Sequence, residues 1–169
     1  MLALSLIICG ILLRLAPHPA NFTPVAAIAL FSGAYLNKRK ALFVPLLLMI
    51  TSDLIIGLHN VVIFTWGSFA LITLLGPWIK KYKTIPGTAS MSLLSSILFY
   101  IITNFGVWVM GWYPLTLKGL AACYIMGLPF LRNFTLATFL YTAVFFGIYE
   151  LTARLVKDTK LSKVLLTVK

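Results

Sequence analysis

Acidic side chains are nearly missing from this sequence: it holds three Asp and Glu in 169 residues. Charged residues of both signs make up only 10%, against about 25% in a soluble globular domain. A solvated surface cannot be built from so few, which excludes the ordinary soluble class and leaves a polytopic membrane protein. Cysteine is scarce too. Cys9 and Cys123 lie in separate apolar runs with no CxxC and no metal-ligand spacing, so they read as small buried hydrophobes. No GxxxxGKS/T sequence is present, so the chain does not hydrolyse ATP through a P-loop of its own. No GxSxG, HExxH or other complete catalytic motif occurs. No stretch is long or polar enough to form a second domain, and residues 1–169 read as one integral membrane domain.

Apolar and basic residues are abundant. Hydrophobic residues make up 61% of the chain and the formal net charge is +11. The mean hydropathy is +1.02. In a soluble protein that charge would suggest nucleic acid. Here the basic residues fall in short clusters between apolar runs, which is a topology signal, and no aromatic-basic binding face accompanies them. The first apolar run has no basic segment before it. Arg14 and Pro17 stand where a small-residue cleavage site would be needed, so the run reads as a retained span.

The chain is organised around residues 16–40. Pro17, Pro19 and Pro24 prevent a continuous helix, since each lacks an N–H and disfavours helix in its predecessor. Residues 17–23 therefore form a constrained connection, with Thr23 placed to cap a helix whose first residue is Pro24. The helix that follows is rich in Ala and Gly. Its Ala29 and Gly33 form a small-xxx-small face that admits another helix backbone closely. Lys38, Arg39 and Lys40 end the segment.

Six spans are expected: 2–15, 24–36, 41–58, 61–79, 88–111 and 134–156. Arg14 ends the first and is expected to reach the membrane interface. The apolar stretch 119–128 is too short to cross and is expected to form an interfacial or re-entrant helix ending at Pro129. Glu150 and Arg154, four apart, are expected to pair. With both ends in the cytoplasm, eleven of fourteen basic residues fall inside: Lys38, Arg39, Lys40, Lys80, Lys81, Lys83, Arg154, Lys157, Lys160, Lys163 and Lys169. The reverse arrangement places them outside, against the positive-inside rule. The expected outer connections are 17–23, 57–61 and 112–133.

That topology gathers the unusual polar residues on the outer side: His18 and Asn21; Asp53, His59 and Asn60; Asn104, Trp108, Trp112 and Tyr113; Arg132 and Asn133. An outward-opening cavity with a few polar anchors would use them, and His18, Asn21, Asp53, His59, Asn104, Trp108, Trp112 and Arg132 are the candidate substrate-binding residues. Each also has a plainer role: aromatic belt for the tryptophans, turn residues for His59 and Asn60, a surface anchor for Arg132. Asp53 is the hardest to dismiss, because a carboxylate deep in an apolar run is costly unless paired or facing a polar cavity. Asp53 and His59 are six apart, so only a break at Gly57 brings them together. Two histidines and one carboxylate are a weak metal signal, and neither metal nor cofactor is assigned.

Residues 17–36 (PHPANFTPVAAIALFSGAYL) and 38–57 (KRKALFVPLLLMITSDLIIG), with the six-span plan, resemble the substrate-binding S-component of energy-coupling-factor transporters. The segment 17–57 also resembles an uncharacterised family of bacterial membrane proteins sharing the HPxNFTP opening. The first resemblance implies a non-enzymatic subunit of the bacterial inner membrane, folded as an all-α six-helix bundle. It implies binding of a vitamin-like micronutrient on the outer side, beneath loops 17–23 and 112–132. It also implies a separate coupling subunit and two ATPases as partners, besides membrane lipid, with no nucleic acid. Residues 2–16 lack the AxxxA that many S-components carry for the coupling subunit, and Ala29 and Gly33 are the nearest small pair for such an interface. The chain begins Met1-Leu2 rather than the Met-His of the metal-transporting members, so a metal substrate of that type is not implied. Two other readings stay open: a structural or assembly membrane protein without a ligand site, and an intramembrane enzyme using His18 or His59 as a base with Asp53.

Overall fold

The structure, a computed structural model, describes residues 2–82, 84–162 and 166. Lys83, Lys163 and Lys169, part of the basic count above, lie outside the described residues. The described chain is helical: α1 (Leu2–Leu15), α2 (Val25–Tyr35), α3 (Lys38–Ile56), α4 (Val62–Thr73), α5 (Gly76–Tyr82), α6 (Ile85–Val109) and α7 (Leu117–Val156). Three stretches of helix are long and apolar enough to cross a membrane: α4 through α5, α6, and α7. The protein is thus an all-helical membrane protein, as its composition requires.

α2 is the centre. It is apolar all round, nine of its eleven residues are buried, and it touches each of the other six helices. A helix with no polar face suits lipid or a protein interior equally, and here it is enclosed by protein. Small side chains let its neighbours approach. A Cβ on Gly33 would overlap the Thr73 carbonyl, and one on Gly76 would overlap the Leu30 carbonyl, so two backbones meet here directly. The expected fourth span is interrupted at this contact. Leu74 and Leu75 donate to carbonyls three residues back, a tighter turn that separates α4 from α5. Phe31 anchors the other side of α2, with ring centroids 4.8 to 6.2 Å from those of Tyr35, Phe145, Phe146 and Tyr149.

Two local expectations are corrected. Thr23 does not cap α2: Pro24 holds the cap position with no side-chain bond, and its carbonyl accepts from the Ile28 N–H at 2.9 Å. The stretch 119–128 is not a separate re-entrant helix. It is the beginning of α7, which runs 40 residues with Pro129 inside, roughly 60 Å at 1.5 Å per residue. Thr116 starts it by accepting from the Gly119 N–H at 3.1 Å. Proline removes one backbone bond. In apolar surroundings a full break would expose several more groups with no water to receive them, so continuing through Pro129 costs less.

The helix ends meet in two places. At one, the last turns of α1 and α3 face the first turns of α4. At the other, the last turns of α2 and α7 lie beside α5 and the start of α6. These are called the Asp53 end and the Tyr35 end.

Candidate functional site

The Asp53 end is a closed polar network. Asp53 is 3% exposed. Its Oδ1 accepts from Arg14 Nη2 at 2.8 Å and its Oδ2 accepts from Trp66 Nε1 at 2.8 Å. Arg14 Nε donates to Ser52 Oγ, also at 2.8 Å. Arg14 therefore does not reach outward to the interface. It turns into the bundle, because a buried carboxylate gains more from a charge partner than a surface cation does from water. Gly57 ends α3 with φ 120°, a conformation that suits glycine, and the break returns His59 Nε2 to 4.0 Å from Asp53 Oδ2.

The other outer-side candidates do not join this network. His18 is exposed, and its ring nitrogens face the carbonyls of Pro19 and Arg14 at 3.0 and 3.2 Å. Asn21, with φ 61°, borders a void of about 10 Å3 together with Asn104. Asn104 donates to the Tyr100 carbonyl at 2.8 Å, and its amide fills the space a side chain on Gly127 would take. Trp108 donates to the Pro114 carbonyl at 3.0 Å and does not line the void beside Asn21 and Asn104. Trp112 lies past the end of α6 and is 66% exposed, and Arg132 is exposed as well. Asn133 donates to the Ala20 carbonyl at 3.2 Å, tying α7 to the first loop. The eight candidates are thus distributed over several places. Ala29 and Gly33 pack within the bundle, Ala29 with no exposed surface. Among the described residues, no group of three or more His, Cys, Asp or Glu is placed to hold a metal ion.

The Tyr35 end is built differently. Here α6 and α7 stand apart and enclose, with α5 and Tyr35, a cleft of about 450 Å3. That lies in the range of small-molecule sites. Its walls are apolar, from Ile79, Ile85, Ala89, Phe139, Ala143 and Phe146. Gly147 adds none: a Cβ there would meet nothing within 4 Å. At the mouth stand Tyr35, Lys80, Glu150 and Arg154. Glu150 accepts from the Tyr35 hydroxyl at 2.5 Å, which links α7 to α2. Lys80 Nζ sits 6.0 Å from the centre of the Tyr35 ring.

Two hydroxyls distinguish this cleft. Buried hydroxyls elsewhere in the bundle donate to carbonyls three or four residues back: Ser68 to Thr65, Thr73 to Phe69, Ser96 to Ser92, Thr138 to Phe134. Ser92 Oγ and Thr142 Oγ1 are the two buried side-chain polar atoms among the described residues without a hydrogen-bond partner, and both residues line the cleft. A buried polar group left unpaired costs about 1–3 kcal/mol. Sequence reading missed both because serine and threonine are ordinary helix residues in apolar spans. The only available signal was their place on helix faces beside Ala89, Ala143 and Gly147.

A family of unknown function, DUF6580, matches residues 1–161. The chain belongs to the DUF6580 family. Neither curated proteins nor solved structures give a match. Membership in DUF6580 assigns no activity, so the geometry of this chain carries the functional reading.

Proposed function

We propose that this protein is the small-molecule-binding subunit of an uptake system in the bacterial inner membrane, without catalytic activity of its own, and that its binding site is the α6–α7 cleft. The observation that carries this reading is a cleft of about 450 Å3 with two unpaired buried hydroxyls in its lining. In this reading the chain crosses six times, through α1, α2, α3, α4 with α5, α6 and α7. In that arrangement Lys38, Arg39, Lys40, Lys80, Lys81, Arg154 and Lys157 belong to the Tyr35 end, which the positive-inside rule assigns to the cytoplasm. The cleft then faces inward, and the Asp53 network closes the outer side. A subunit that delivers its cargo inward has this form in its release state. The chain has no P-loop, so energy would come from separate ATPase partners, as the resemblance of residues 17–57 to S-components suggests.

The test is a thermal-shift screen of purified protein against micronutrients, with mass spectrometry of any copurified molecule. A ligand that raises the melting temperature of the natural protein, but not of Gly147→Leu, is expected. Failure of every compound, with no copurified molecule, would sink the reading. A second reading is favoured by the Asp53 end, where Asp53, Arg14 and Trp66 satisfy one another. It holds that the protein is a structural membrane component, and it predicts that no ligand is found.

A further inference from the structure

The cleft's two polar places are separated along the helices. Lys80, Tyr35, Glu150 and Arg154 stand at the mouth, while Ser92 and Thr142 stand farther in. Thr142 precedes Glu150 by eight residues on one helix, which is roughly 12 Å at 1.5 Å per residue. Between them the walls are Ala89, Ala143 and Phe146, and Phe139 lies one turn beyond Thr142. Among the described residues the mouth carries two cations against one carboxylate, and that carboxylate accepts from Tyr35.

Resting on the reading of this cleft as a ligand site, we propose that its ligand is an anionic, elongated amphipath of about two fused rings. A carboxylate or similar anion lies at Lys80 and Arg154, and a hydrogen-bonding group at the far end meets Ser92 and Thr142. Each part follows from its surroundings. A charge-assisted bond to Arg or Lys is the strong polar contact available at the mouth. An apolar wall with Phe146 along the stretch and Phe139 at its inner end suits a ring better than a sugar. The inner hydroxyls select against a plain hydrocarbon end, because an acyl chain would leave both unpaired. That last point separates a small amphipath from the acyl chain of a membrane lipid.

The test uses the full chain in phosphatidylcholine nanodiscs and three probes, titrated by calorimetry: 6-hydroxy-2-naphthoate, its neutral counterpart 6-hydroxy-2-naphthalenemethanol, and 2-naphthoate. The hydroxynaphthoate is expected to bind about tenfold more tightly than the neutral alcohol and roughly fivefold more tightly than 2-naphthoate. Lys80→Gln with Arg154→Gln removes the first preference and keeps the second. Both side chains are exposed, so the fold is not at risk. Ser92→Ala with Thr142→Val does the reverse. If the neutral alcohol binds as well as the anion, the charge assignment is overturned while the cleft remains the site. If Gly147→Leu, which fills the cleft, leaves all affinities unchanged, the cleft reading itself fails. Absence of binding by all three probes overturns the proposed ligand class. Competition by phosphatidylglycerol added to the nanodiscs overturns it in favour of lipid.

Discussion

The two ends of the bundle use the same ingredients and reach opposite results. Each has a buried or half-buried carboxylate, a nearby cation and an aromatic donor: Asp53 with Arg14 and Trp66, Glu150 with Arg154 and Tyr35. At the Asp53 end the groups close on one another. At the Tyr35 end they border open space. Packing around small residues makes the difference. Gly127 and Gly106 are filled from outside by Asn104 and Phe64, which draws α7 and α4 against α6. Gly147 is filled by nothing, and α6 and α7 stand apart there. A glycine in a membrane helix closes a contact only when a neighbour supplies the knob.

The largest effect that would break this contrast lies at Asp53. Asp53→Ala leaves the Arg14 charge buried without its partner, and a loss of about 3–5 kcal/mol is expected, read as a lower melting temperature in detergent. The pair Arg14→Met with Asp53→Leu should recover most of it. An unchanged Asp53→Ala protein would show that the network is not what holds that end shut. Gly127→Leu comes next. It drives a side chain into Asn104, and overpacking predicts a cost of about 1–3 kcal/mol, measured in the same way.

Gly147→Leu sharpens the comparison, because the same substitution on the same helix should leave the stability within about 0.5 kcal/mol of the natural protein or raise it, read from the melting temperature, since leucine favours helix over glycine. Ligand-induced stabilisation should vanish. A small effect of the opposite kind is expected from Ser92→Ala. Removing an unpaired buried hydroxyl should be neutral or stabilising by about 1 kcal/mol, whereas Ser96→Ala, which breaks a bond to the Ser92 carbonyl, should destabilise by a similar amount. Equal losses in both variants would mean that Ser92 is paired after all.

Much of the fold was legible in order. Helix positions followed from apolar runs and proline, and a break at Gly57 was named as the one way to bring His59 near Asp53, the way the structure takes. The candidate site was not legible. Outer-side candidates were gathered by membrane side, but residues at the same depth on different helices need not face one another, and His18, Trp108 and Arg132 do not share a cavity. Pro129 misled for another reason. The rule that proline ends a helix assumes water for the freed carbonyls, and an apolar bundle supplies none.

Composition alone determined that the chain is helical and membrane-embedded and that Asp53 needs a partner. These follow from hydropathy and the cost of a buried charge, both of which are carried by the residue or its near neighbours. Tertiary structure decided that the partner is Arg14, 39 positions away, that α7 runs unbroken, and that space opens between α6 and α7. Those outcomes depend on how whole helices rotate and pack around α2, and no local stretch of sequence contains that information.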